Sequence, residues 1–125
     1  MNSYGKEVIL DIHNCNPEKF TRKSIRKYCK KLCKLIDMKR EDLHFWDYKG
    51  DPKGYKKAPN HLKGISAVQF LKTSNITIHT LDVLKCAYIN VFSCKNFDTI
   101  VVVDFSEKWF GGEMNNWYLI DRGSK

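Results

Sequence analysis

The stretch from Gly64 to Ser93, GISAVQFLKTSNITIHTLDVLKCAYINVFS, holds three strand-like runs in close succession: Gly64 to Leu71 (GISAVQFL), Ser74 to Leu81 (SNITIHTL) and Lys85 to Ser93 (KCAYINVFS). Each is rich in β-branched or aromatic residues, as strands are. Working outward, Glu7 to His13 (EVILDIH) is a further apolar, partly alternating strand, and Leu43 to Tyr48 (LHFWDY) is a short aromatic one. Between these two, Asn16-Pro17-Glu18 offers a capping Asn, a Pro suited to the first helical position and an acid for the positive helix end. Phe20, Ile25, Tyr28, Cys29, Leu32, Cys33, Leu35 and Ile36 then fall at helical spacing with lysines on the other face, which predicts an amphipathic helix to about Met38. Lys49 to Lys63, with Gly50, Gly54 and both remaining prolines, reads as an exposed loop. Asn96 to Phe110 is open: Ile100-Val101-Val102-Val103 favours a strand, whereas the length and the Gly111-Gly112 stop suit a helix. Asn116 to Asp121 (NWYLID) closes as a strand. The order β-α-β-β-β-β-(α)-β points to an α+β fold, a two-layer sandwich whose antiparallel sheet is covered by two helices on one face.

The 125 residues suffice for a single domain, 1–125, with no repeat or linker; a chain of this size buries about two-thirds of its unfolded surface. A membrane span needs about 18 or more apolar residues in a row, and the longest pure run here is Ile100 to Val103. The N-terminus, MNSYGKEVIL, has no apolar stretch leading to a small-residue cleavage site, so an untargeted, cytoplasmic protein is expected. Cys15, Cys29, Cys33, Cys86 and Cys94 are an odd, scattered set and read as reduced thiols. Cys29 and Cys33 could form half a zinc site, but no second pair matches the spacing, and a buried helical face accounts for both; no metal is expected. Lys+Arg 22 against Asp+Glu 14 gives a net charge of +8, and ten of the basic residues lie between Lys19 and Arg40 with Asp37 as the one acid. Such a strip can hold phosphates, and lysines near Trp46, Tyr48 and Tyr55 extend it. On an amphipathic helix, however, a charge run is ordinarily the solvated face, and a nucleic-acid partner is not expected.

Ser74, His79 and Cys94 place a hydroxyl, an imidazole and a thiol on two neighbouring strands. Asn75, Thr77 and His79 share one face of the first, and Tyr88, Asn90, Phe92 and Cys94 share a face of the next, so the groups can converge. Taken alone, they equally suit a turn serine, a strand histidine and a buried small residue.

The segment GISAVQFLKTSNITIHT followed by KCAYINVFSC resembles the core of the prokaryotic S-adenosylmethionine decarboxylases, small pyruvoyl enzymes made as inactive proenzymes. Ile76 to Thr80 match that family's pattern, and Phe92-Ser93-Cys94 falls at its expected distance. Gly5-Lys6, the strand with Asp11, Cys15-Asn16-Pro17-Glu18 and Trp117 to Gly123 fit its two ends. The resemblance spans nearly the whole chain, with an insertion between Lys49 and His61. It implies that the Ser74 hydroxyl attacks the Thr73 carbonyl carbon and that the ester so formed eliminates. The chain is thereby cut into residues 1–73 (the β chain) and 74–125 (the α chain), the latter capped by a pyruvoyl group made from Ser74. Ser66 and His79 are the implied assistants of cleavage. The pyruvoyl ketone then takes the substrate's α-amine as a Schiff base and accepts the electrons released with CO2. Cys94 is the implied proton donor to the α-carbon, a task suited to a thiol with an ordinary pKa of about 8.5. The family's site forms between protomers or beside a dimer seam, which implies a homodimer of αβ units.

Thr73 stands where many members have Glu, and Asn75 replaces a His. Leu81-Asp82-Val83 replaces the family's Trp-Pro-Glu, whose Glu grips the substrate's ribose. Val83 cannot do this, and Asp82, one position off, points to the other face of an extended strand. Tyr48 is the candidate aromatic for adenine, and Asp11 and Asp82 are candidate acids for a cationic substrate. S-adenosylmethionine, decarboxylated for spermidine synthesis, is the first expectation. A free basic amino acid such as ornithine or arginine is the alternative on the same scaffold, and a non-catalytic basic binding domain is a third reading.

Overall fold

Six strands, β1 (Gly5–His13), β2 (Arg40–Trp46), β3 (Gly64–Leu71), β4 (Ser74–Leu81), β5 (Cys86–Ser93) and β6 (Glu113–Arg122), form one sheet in the order β2-β3-β4-β5-β1-β6. All neighbouring pairs are antiparallel. The computed structural model describes residues 3–124; Met1, Asn2 and Lys125, part of the ends read above for targeting and domain extent, lie outside them.

The two-residue period of a strand sorts the side chains. Val8, Leu10 and Ile12 of β1, Ile76 and Ile78 of β4 and Ala87, Ile89 and Val91 of β5 are buried on one face. Over that face lie α1 (Arg22–Leu35) and α3 (Thr99–Phe110). They contribute Ile25, Tyr28, Cys29 and Leu32, and Val102, Val103 and Phe110, to one continuous core. Cys29 and Cys33 are therefore core residues. Tyr28 Oη and Ser106 Oγ meet at 2.6 Å between the two helices, satisfying both hydroxyls where water cannot reach. The opposite face, with Asp11, Ser66, Thr77, His79, Tyr88 and Asn90, stays partly or fully exposed. Among the described residues no helix is long and apolar enough to cross a membrane.

Five local readings change in the folded chain. Asn16 caps a separate 3-10 turn, Pro17–Lys19, accepting from the Glu18 N–H at 3.1 Å, while the long helix starts at Arg22 with Thr21 as its cap. That helix stops at Leu35, short of Met38, and Asp37 takes a left-handed φ of 56°. The open segment is α3, started by Asp98 Oδ1 accepting from the Ile100 and Val101 N–H groups and stopped by Gly111 at φ 64°. Each β-branched residue of Ile100 to Val103 costs a helix about 0.5 kcal/mol, whereas burying a Val- or Phe-sized side chain gains about 1.5–3 kcal/mol. Val102, Val103 and Phe110 are buried at helical spacing, so packing outweighs propensity. The segment between β2 and β3 is more than a loop: it contains a short helix, α2 (Pro52–Lys57), and a 3-10 turn, Asn60–Leu62. Strand β2 also begins earlier than Leu43, across a register shift between Arg40 and Leu43. Buried Gln69 fills the irregularity, its Nε2 donating to the Glu41 and Asp42 carbonyls at 2.9 and 3.3 Å.

Candidate active site

Lys72 and Thr73 alone connect β3 to β4, with Leu71 opposite Ser74. A two-residue turn needs positive φ, usually supplied by Gly or Asn. Here Thr73 supplies it, at φ 50°. A β-branched residue held there is strained by about 1–3 kcal/mol, and its carbonyl is the one that cleavage would attack. Ser74 follows, buried, at the start of β4. Because Asn75 pairs with Phe92 across β4 and β5, Ser74 lies beside the end of β5. Its Oγ accepts from the Cys94 N–H at 3.1 Å and donates to Cys94 Sγ at 3.7 Å. Thr73 Oγ1 is 3.2 Å from the same sulfur. Hydrogen bonds from Thr73, then Ser74, then Tyr4 hold the Cys94 thiol below its ordinary value. Burial instead pushes Cys15 and Cys33 up to about 11 and Cys29 up to about 12. Since the thiolate is the reactive form, Cys94, the exposed cysteine, is the one equipped for chemistry. A cavity of about 320 Å³ opens beside it, lined by Met38, Lys39, Leu71, Lys72, Ser74 and Cys94 among others.

Ser66 and His79 are register partners on β3 and β4, and Ser66 Oγ lies 2.8 Å from His79 Nδ1. The expected pair therefore forms, but not at Ser74 of its own chain. His79 is five residues along the strand, about 16 Å at 3.3 Å per residue, and faces the open side of the sheet whereas Ser74 faces the core. The open-face row through this pair runs Trp46, Ser66, His79, Tyr88, Asp11 and Asn116. Asp11 is thus about 10 Å from His79, two strand spacings away on the same face.

Asp82 and Tyr48 meet elsewhere, at the end of the sheet beyond β4. Tyr55 of α2 donates its hydroxyl to Asp82 Oδ2 at 2.8 Å. Tyr48 packs edge-on against Trp46 and Tyr55, with ring centres 5.3 and 5.5 Å apart, and donates to the Leu62 carbonyl at 3.1 Å. Asp82, Tyr48, Tyr55, Ile65 and Asp47 line a cavity of about 350 Å³. Asp47 in turn binds Arg22 of α1 through two contacts of 2.7 Å. Asp82 therefore sits on the side of Ile65 and Asp47, away from His79, as strand alternation past Leu81 requires. Val83 is an exposed turn residue.

Three features escape a reading of the sequence. Tyr55 reaches Asp82 from 27 residues away with no periodic link between them. The open face also carries a network in which Arg122 Nη1 and Asn90 Nδ2 donate to Glu7 at 2.6 and 2.8 Å, joining opposite ends of the chain. The third, the hydroxyl of Thr73 on Cys94, had a visible signal: a β-branched residue in a two-residue turn.

Comparison with known proteins extends these positions to the whole chain. A search of curated protein sequences finds no significant match. Among solved structures, the crystal structure of the adenosylmethionine decarboxylase from Aquifex aeolicus VF5 is similar with a TM-score of 0.77, covering 100% of this chain and 95% of that one at 18% identity, a likeness of fold. The sequence profile described as S-adenosylmethionine decarboxylase matches residues 6–123. That match runs from β1 through the Thr73–Ser74 turn and Cys94 to the end of β6, and the chain belongs to the S-adenosylmethionine decarboxylase family.

Proposed function

We propose that this protein is a pyruvoyl-dependent carboxy-lyase that decarboxylates S-adenosylmethionine after cutting itself between Thr73 and Ser74. The product would be an aminopropyl donor for spermidine synthesis in the cytoplasm. The observation that carries this reading is the strained turn at Thr73, which sets the Ser74 hydroxyl against both the N–H and the sulfur of Cys94. The residues fit the group: a serine opening a strand, a strained peptide before it and a proton-carrying side chain beside it. When formed, the pyruvoyl group supplies the electron sink for the departing carboxylate. In the cut itself, Ser74 Oγ bonds to the Thr73 carbonyl carbon as the amide breaks, and the Cys94 N–H orients the attacking oxygen. Cys94 Sγ, next to the new terminus, returns a proton to the substrate's α-carbon.

The Ser66–His79 pair, about 16 Å from Ser74 in its own chain, assists the Ser74 of a second copy laid on the open face, so the working unit is a homodimer of αβ units. On that face Asp11 is the acid available to a cationic substrate, and Asp82 is held by Tyr55. A second reading, decarboxylation of ornithine or arginine, is favoured by the same Tyr55–Asp82 contact together with Val83, which leave the position of a ribose-binding acid unfilled. Intact mass after incubation at neutral pH, and labelled CO2 released from S-adenosylmethionine, ornithine and arginine side by side, test both. A chain that stays whole sinks the pyruvoyl assignment; turnover of a free amino acid but not of S-adenosylmethionine replaces the first substrate by the second.

A further inference from the structure

Thr73 carries a hydroxyl where cleavage asks of it only a backbone carbonyl. Its Oγ1 lies 2.8 Å from the Lys72 carbonyl oxygen and 3.2 Å from Cys94 Sγ. One hydroxyl proton faces two acceptors. While it goes to the carbonyl, which can only accept, the thiol donates to Thr73; once the sulfur is ionised, Thr73 can turn the proton to it. Ser74 is a second donor at 3.7 Å. Hydrogen bonds of this kind favour the ionised form. The charged groups lining the adjoining cavity are Lys39, Lys72, Lys95 and Asp37. Lys95 Nζ is paired with Asp37 at 2.9 Å, which leaves Lys39 and Lys72 as further cations on the side of a thiolate.

We propose that Thr73 is the positioning residue of Cys94, its hydroxyl favouring the ionised sulfur in the uncut chain, and that the cut at Thr73–Ser74 shifts Cys94 towards the proton-bearing thiol that catalysis needs. The second half rests on the Ser74 cleavage proposed above. In the cut, the Ser74 Cβ–Oγ bond breaks by elimination and Oγ remains with Thr73 as part of a new carboxylate. Water then hydrolyses the dehydroalanine, and ammonia leaves. The sulfur thus loses the Ser74 donor and gains a nearby negative charge, and both changes oppose ionisation. A proton donor has to carry its proton at working pH, so the order of events suits the chemistry.

Cys94 is exposed and the other four cysteines are buried, so alkylation by iodoacetamide, read by mass on the Cys94 peptide across pH, reports this thiol. Ser74→Ala, which cannot cut, serves as the uncut background and keeps Thr73. Adding Thr73→Val, which retains the β-branch, should slow alkylation near pH 7 about tenfold, the equivalent of one pKa unit; adding Thr73→Ser should leave it unchanged. Cut wild-type protein should react about tenfold more slowly than Ser74→Ala, again one unit; because that variant already lacks the Ser74 hydroxyl, the difference reads the charge of the new carboxylate alone. An unchanged profile in the Thr73→Val variant overturns the positioning role, and a cut protein that reacts as fast as the uncut one overturns the switch. If wild type never cuts, the cleavage reading falls, while the Val and Ser variants still decide the role of Thr73.

Discussion

At one end of β4 the chain turns in two residues and sets Ser74 against Cys94; at the other it passes Asp82 to a tyrosine from α2. The first end is built from neighbours: Lys72, Thr73 and one register relation to β5. Its geometry follows once β3, β4 and β5 pair. The second end is assembled from distant pieces, with the Asp82 N–H donating to the Lys63 carbonyl at 2.8 Å and the segment between β2 and β3 tied back to α1 through Asp47 and Arg22. Between them the Ser66–His79 row faces the open side of the sheet. The groups proposed for cleavage thus stand on a local scaffold of adjacent strands, whereas those flanking the second cavity depend on the segment between β2 and β3.

The sharpest way to break this comparison is complementation. Ser74→Ala and His79→Ala should each stay uncut alone, while co-expression of the two should restore cutting of the His79→Ala chain, because each supplies what the other lacks. Cutting of His79→Ala alone at the wild-type rate would remove the far row from cleavage. Next in size is Cys94→Ala, which should still cut at least partly but lose decarboxylation by about 10²–10⁴, the usual worth of a positioned proton donor. Full activity of the cut variant would show that another group protonates the product.

Asp11 and Asp82 look alike as candidate acids in the sequence, and the fold separates them. Asp11→Asn should raise KM for the cationic substrate about tenfold, in keeping with a hydrogen bond to a charged group. Asp82→Asn should change it by less than about threefold, well below that magnitude, and steady-state kinetics on both distinguish the two ends directly. The smallest effect concerns the tie to α1. Arg22, bonded to Asp47, holds that carboxyl below its ordinary range, so the pair stabilises the fold above the unfolded value of about pH 4 and loses its effect as pH falls through the lowered one. Asp47→Asn should lower Tm by a few degrees at neutral pH, and the difference from wild type should vanish in acid; a constant difference would mean that Asp47 acts through packing.

The amino-acid sequence by itself determined the three central strands to within a residue, since β3 and β4 begin and end where alternation says and β5 starts at Cys86 instead of Lys85. It also determined which side chains of a strand share a face, because a period of two is dictated by adjacent residues, whereas the contact of Ser74 with Cys94, just past the end of β5, came from the pairing of β4 with β5. Only the tertiary structure decided that Ile100 to Val103 lie in a helix, where burial against the sheet exceeds the local preference for a strand. Only it showed that the face carrying Ser66 and His79 is the uncovered one, since that depends on where α1 and α3 pack. The capture of Asp82 by Tyr55 and the tie of Asp47 to Arg22 are likewise contacts between segments far apart in the chain, and such contacts form only when the core brings those segments together.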